Sequence, residues 1–220
     1  MKTVLFLVSG NGGTLKFFNE AYKVNRINLK VIAVISDRKC GALEYAKENN
    51  IQAHEININK SSQDELKELI QLISADFVIT TIHKVLHKDV ISYSKSRFIN
   101  LHYSLLPAYE GLIGMNTVRQ AKLDNAKFVG ATAHLVSEDV DRGIILGKCF
   151  LLADWGVNTM EYYYDLVFRG GCLVLLNQLL AFSDNTLIST PTSNYDQLTF
   201  NPPLTFSPLE YDKIFWDKLK

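Results

Sequence analysis

Three residues have the types and spacing of a site that could stabilise an oxyanion and move a proton: Asn100, His102 and Asp141. Asn100 and His102 are separated by one residue at the end of a short apolar run, Phe98–His102. A strand there would project both to the same side. At the carboxyl end of a strand in an open α/β sheet they would stand where ligands sit. A carboxamide donates hydrogen bonds, an imidazole exchanges a proton near neutral pH, and a carboxylate beside it favours the charged ring. Bland roles remain open on local grounds. Asn100 and His102 could tie down the loop 103–107, and Asp141, in Asp139-Val-Asp-Arg-Gly143, could be a turn residue. His134, on the preceding strand, reads as a satisfied core histidine.

A second candidate is the loop Gly10-Asn11-Gly12-Gly13-Thr14 between the first strand and the first helix. Backbone N–H groups at such a helix start suit a phosphate. Leu15 stands where the dinucleotide fingerprint needs its last glycine, and no Gly-Lys-Ser/Thr follows, so the loop specifies no nucleotide. Asp37, at the end of strand two, keeps a ribose-binding NAD module as an alternative of another class. His83 and His87 have helical spacing but no Glu or Cys partner, in a stretch that reads as a strand exit, so no metal site is expected.

The elements that must position these residues follow from periodicity. Short apolar runs at Thr3–Val8, Val31–Ile35, Ala53–Ile56, Phe77–Thr81 and Phe98–His102 read as buried strands, alternating with helical or loop segments. Ser62 with Glu65 reads as a capping box opening a helix to about Ile73. This is the pattern of a Rossmann-like, doubly wound, mostly parallel α/β sheet. A helix near 115–123, two strands at about 127–136 and 144–152 and a long helix over 159–182 form an antiparallel addition. The expected division is a catalytic domain at 1–182 and a C-terminal extension at 183–220, read as an extended tail packed on the core.

Composition sets the outer bounds. The 220 residues carry 23 Lys+Arg and 23 Asp+Glu, with 47% hydrophobic residues. A zero balance without like-charge runs argues against nucleic acid and anionic membrane as partners. The apolar run at Val4–Val8 is too short for a signal sequence, and no stretch is long enough to span a bilayer. Three scattered cysteines make no disulfide framework and point to a reducing, cytoplasmic compartment.

Taken together, the motifs resemble the 10-formyltetrahydrofolate-dependent formyltransferase family. Asn100-Leu-His-Tyr-Ser-Leu-Leu-Pro107 is similar to its Asn-x-His motif. Val129-Gly-Ala-Thr-Ala-His134 precedes Asp139-Val-Asp141-x-Gly143-x-Ile145 at family-like spacing. Ser9-Gly-Asn-Gly12 follows strand one, and Ile35-Ser-Asp-Arg38 precedes Gly41-Ala-Leu43. The resemblance covers about residues 1–182. It implies the formyltransferase fold, with Asn100, His102 and Asp141 as catalytic residues and folate as co-substrate. It implies a folate pocket on the backbone of Lys84, Val85 and Leu86, with the loop containing Val136, Asp139 and Val140 as its other wall. It implies that no metal is needed.

The amine acceptor departs from the family's glycinamide ribonucleotide branch. Gly12-Gly13-Thr14 replaces that branch's phosphate loop, Tyr103 replaces a proline, and Phe168 and Gly171 stand where a Gln and a Glu contact the ribonucleotide. These departures favour a nucleotide-linked amino sugar, with glycinamide ribonucleotide as the alternative and Tyr103 and Phe168 as acceptor contacts or core aromatics. Length argues against the family's two-domain members, while a hydrolytic side reaction and a degenerate, interaction-only relative stay open. The tail, with Asn201-Pro-Pro-Leu204 and Phe215-Trp216, is a candidate to cap the acceptor site, seal a sheet edge or pair copies in a homodimer.

Overall fold

A computed structural model describes residues 1–59, 61–183 and 191–219. The chain divides into two compact units. The first comprises Met1–Asn100, Val136–Glu138 and the chain from Tyr211 onward. Its elements alternate: β1 (Lys2–Val8), α1 (Gly13–Lys23), β2 (Leu29–Ser36), α2 (Gly41–Glu48), β3 (Gln52–Glu55), α3 (Asp64–Ile73), β4 (Phe77–Thr81), α4 (Lys88–Tyr93) and β5 (Arg97–His102), whose last two residues fall in the second unit. The strand order is β3-β2-β1-β4-β5, and the β2–β3, β1–β2, β1–β4 and β4–β5 pairings are parallel. Order reverses between β1 and β4, so the loops after these two strands flank the switch point. Val4, Leu5, Phe6, Leu7 and Val8 are all buried, as a strand covered on both faces requires.

The expected capping box does not form. α3 starts after Gln63, which makes no side-chain cap bond, and Ser62 Oγ donates to Asp64 Oδ2 at 2.7 Å. The same hydroxyl accepts from Asp64 N at 3.3 Å, so Ser62 closes a local turn on Asp64 instead of serving the N–H of Glu65 as a capping box requires.

The second unit comprises Leu101–Leu135 and Asp139–Glu210. It holds α5 (Asn116–Leu123), β6 (Phe128–Leu135), β7 (Ile145–Leu152), α6 (Met160–Ala181), β8 (Thr192–Tyr195) and β9 (Leu198–Leu204), with antiparallel order β6-β7-β9-β8. Thr159 caps α6, its side chain accepting from Tyr162 N at 3.3 Å. Gly170 lets α6 approach β7: a Cβ there would sit 2.6 Å from Cys149 Sγ. The stretch read as an extended tail contains regular structure instead. β8 and β9 make a hairpin through Asp196 and Gln197, both at positive φ (47° and 65°). The final helix, α7 (Lys213–Asp217), belongs to the first unit, where Phe17 of α1 stacks on Trp216 at 5.3 Å. Residues 184–190 and 220 of the expected extension lie outside the described residues.

Candidate active site

In the second unit, His102 ends β5 and Asp141 lies in the turn between β6 and β7. The structure brings them together: His102 Nδ1 is 3.4 Å from Asp141 Oδ2. His102 Nε2 donates to the Tyr109 carbonyl at 3.1 Å, so both ring nitrogens face acceptors. Asp141 has φ 58°, a left-handed conformation that Asp tolerates better than most residues. It is therefore a turn residue as well as a partner of the imidazole. Its Oδ2 also accepts from Gly111 N at 2.8 Å.

The other carboxylate oxygen faces a residue that sequence reasoning set aside. His134 Nε2 lies 3.7 Å from Asp141 Oδ1, an ion-pair distance too long for a hydrogen bond. His134 Nδ1 donates to the Leu135 carbonyl at 2.9 Å, and Nε2 is buried without a hydrogen-bond partner. His134 is thus a buried neighbour of the carboxylate rather than a satisfied core histidine. Gly143 makes this turn possible. A Cβ on it would sit 1.6 Å from the Leu135 carbonyl oxygen, so only glycine lets the chain cross so close.

Burial decides the protonation balance. Burial pushes the His102 pKa down, and the opposing pull of Asp141 and the Tyr109 carbonyl leaves it below the ordinary 6.5. The expectation that Asp141 favours the charged ring has the right sign, but desolvation is the larger effect. Burial pushes the Asp141 carboxyl up. His134, the Gly111 amide and His102 outweigh it and hold the group below 3.8, so Asp141 is ionised at neutral pH.

The segment after His102 is fixed by buried side chains. Thr132 Oγ1 of β6 donates to Ser104 O at 2.7 Å and accepts from Leu106 N at 3.2 Å. Lys148 Nζ of β7 donates to Leu106 O at 2.7 Å, and Thr117 Oγ1 of α5 donates to the Tyr103 carbonyl. The Tyr103 ring packs on α6: a Cβ on Gly171 would lie 3.2 Å from Tyr103 Cε1 and 3.2 Å from Ala131 Cβ. Phe168 is three residues earlier on α6 and half-buried, on the same helix face as Gly171. Val140 is exposed, and Asp139 accepts from Arg142 N through its carbonyl.

In the first unit, Asn100 Nδ2 donates to Thr80 O at 2.7 Å and to Thr80 Oγ1 at 3.2 Å. Of the expected folate segment, Val85 is exposed, Leu86 is buried in the core beneath it, and Lys84 Nζ lies 3.9 Å from Asp37 Oδ2. The Leu86 side chain is therefore taken up by the core and is not a ligand contact. Val136 N donates to the Phe98 carbonyl at 3.1 Å. In the glycine loop, Gly12 has φ 70° and a Cβ there would meet Ala42 Cβ at 2.8 Å, so the loop sits tightly on the first turn of α2. Asn11 is exposed and Gly10, Gly12 and Gly13 are partly so, whereas Thr14 is buried. A cavity of about 440 Å³ adjoins this loop, lined in part by Asn11, Gly13, Lys16 and Tyr45. Asp37 is fully engaged: it accepts from Ser9 Oγ at 2.6 Å and Arg38 Nη2 at 2.6 Å, and its side chain is 1% exposed. That leaves no acceptor for a ribose diol, which weighs against the NAD-module alternative. Among the described residues, no three His, Cys, Asp or Glu side chains gather as metal ligands, and no helix is long and apolar enough to cross a membrane.

A family model described as formyl transferase matches residues 2–165. The chain is 30% identical over 150 residues to phosphoribosylglycinamide formyltransferase of Escherichia coli strain K12, covering 65% of this chain and 69% of that protein. It is 28% identical over 157 residues to the chloroplastic enzyme of that name from Arabidopsis thaliana, covering 67% of this chain and 54% of that one. Formyltetrahydrofolate deformylase of Bacillus subtilis strain 168 is 29% identical over 151 residues, which are 66% of this chain and 49% of that protein. The chain thus spans about half the length of the Arabidopsis and Bacillus relatives. Among solved structures, glycinamide ribonucleotide transformylase 1 from Symbiobacterium toebii matches with a TM-score of 0.74 at 25% identity, over 86% of this chain and 91% of that one. The chain belongs to the formyl transferase family, and its fold is that of these α/β enzymes.

Proposed function

We propose that the protein is an N-formyltransferase that moves a formyl group from 10-formyltetrahydrofolate to the primary amine of a phosphorylated small molecule. The observation that carries this is the buried His102–Asp141 pair, with the carboxylate held by Gly111 N and flanked by His134. The amine attacks the formyl carbon, the carbonyl oxygen becomes an oxyanion, and the C–N10 bond breaks. Asn100 answers the oxyanion with the N–H on its longer bond to Thr80, keeping the 2.7 Å bond as its anchor. His102, once protonated, turns its Nε2 proton from the Tyr109 carbonyl to the leaving N10, and Asp141 steadies the imidazolium through Nδ1 and takes up the proton that the amine sheds. The backbone at Lys84, Val85 and Leu86 receives the folate, with Val136, Asp139 and Val140 on the other wall. Gly10, Asn11, Gly12, Gly13 and Thr14 hold the acceptor phosphate, Thr14 through its backbone because its side chain is buried.

For the acceptor, the names of the E. coli and Arabidopsis relatives favour glycinamide ribonucleotide over the nucleotide-linked amino sugar. One observation supports the amino sugar as a second reading: the Tyr103 ring covers Gly171, offering an aromatic face rather than a polar side chain. We further propose action in the cytoplasm.

The test is transfer from 10-formyltetrahydrofolate to each acceptor by wild type, Asn100→Ala and His102→Ala. Loss of one oxyanion donor lowers the rate about 10²–10³-fold. Near wild-type transfer in both variants refutes the mechanism. Formate release without an acceptor would instead assign a hydrolase, the activity named in the Bacillus relative.

A further inference from the structure

Residues 82–87 run from β4 to α4 without regular structure, so no strand ladder fixes their backbone. Two buried polar side chains do that work. At one end Ser9 Oγ accepts from His83 N at 2.8 Å while donating to Asp37. At the other, the Gln63 carboxamide uses both of its ends. Its Nε2 donates to Val85 O at 2.9 Å and its Oε1 accepts from His87 N at 3.0 Å. One amide thus plays the part of a missing strand neighbour for the two peptide groups on either side of Leu86.

Gln63 stands at the N-cap position of α3, where Ser, Thr, Asp or Asn would serve the helix. It makes no cap bond there; its side chain is turned to the loop and is 6% exposed as a residue. The placement has a consequence for the loop. With Leu86 directed into the core beside Val90, and with Val85 O and His87 N tied to Gln63, Val85 is turned outward at 55% exposure.

We propose that Gln63 is a positioning residue for the one-carbon donor, holding the 84–86 backbone in the shape that receives the donor's heterocycle. The inference rests on the folate reading of that segment. A ligand recognised through backbone groups needs those groups held within a fraction of an ångström, which a free loop does not provide.

The experiment compares wild type with Gln63→Met, which keeps the length and removes both bonds, and Gln63→Glu, which keeps the acceptor for His87 N and loses the donor to Val85 O. The dissociation constant of a non-reactive folate analogue is measured by calorimetry, together with KM for donor and acceptor, kcat and Tm. The expected result for Gln63→Met is a rise of at least tenfold in the analogue dissociation constant and in donor KM. Acceptor KM stays within twofold and kcat at saturating donor is retained. Gln63→Glu falls between the two, and decides the matter if Gln63→Met does not fold. Unchanged folate affinity in a folded variant overturns the proposal while leaving the folate reading standing. A wild-type protein that binds no folate analogue overturns both.

Discussion

Thr132→Val isolates the support of the segment that follows His102. The substitution keeps the shape of the side chain and replaces the hydroxyl with a methyl group. Thr132 is fully buried, and its hydroxyl serves two buried backbone groups, Ser104 O at 2.7 Å and Leu106 N at 3.2 Å. Each loses its partner in a place water does not reach, at a cost of about 1–3 kcal/mol per group. The added methyl returns roughly 1 kcal/mol of apolar burial. The net loss is about 3 kcal/mol, and for a chain of this size each kcal/mol moves Tm by about 2–4 °C, so a fall of about 6–12 °C is expected. The same segment carries the Tyr109 carbonyl that accepts from His102 Nε2, so kcat should fall as well. Thr132→Ser keeps both bonds and serves as the control, losing only the methyl, about 1 kcal/mol. Calorimetric Tm with kcat for the three proteins is the assay. A Thr132→Val protein within 2 °C of wild type and fully active would show that these two bonds do not hold the segment.

Three further outcomes are expected. In an NMR titration the His102 ring has its midpoint below 6.5, and Asp141→Asn lowers it further, because the carboxylate raises what burial depresses. With a depressed folded pKa, the unfolded chain takes up the proton more readily. The His102 contribution to stability is therefore complete above pH 6.5 and declines as pH falls from 6.5 towards the folded value; a midpoint above 6.5 refutes this balance. Gly143→Ala forces the Leu135 carbonyl aside and should cost at least about 3 kcal/mol in denaturant unfolding, so a variant of wild-type stability would contradict the 1.6 Å approach. Gly171→Ala presses on the Tyr103 ring and should raise acceptor KM several-fold without changing donor KM; an effect on the donor alone would remove Tyr103 from the acceptor side.

The residues proposed to do chemistry were legible because their motifs are local. Asn100 and His102 stand one residue apart on one short strand, and the parallel strands announce themselves as short apolar runs between glycines and helical segments. The β8–β9 hairpin was hidden for a physical reason. Its turn takes positive φ at Asp196 and Gln197, where Asn-Gly would have signalled it, and β9 carries Pro202 and Pro203, which argue against a strand.

The supports were illegible for a deeper reason: each joins residues far apart in the chain. Gln63 meets Val85 across 22 positions, Thr132 meets Ser104 across 28, Gly111 meets Asp141 across 30, and Lys148 meets Leu106 across 42. Nothing in the neighbours of a lone Gln or Thr says which distant peptide group it will satisfy, because that choice is made by the packing of elements after they form. Burial acts the same way on His102. The sequence places a carboxylate at family spacing and so suggests a raised pKa, but only the folded environment shows that desolvation is larger. A motif therefore reports which atoms can react, while their protonation and aim depend on contacts that the motif does not contain. Variants at Gln63 and Thr132 should accordingly change ligand affinity and segment order while every motif residue stays in place.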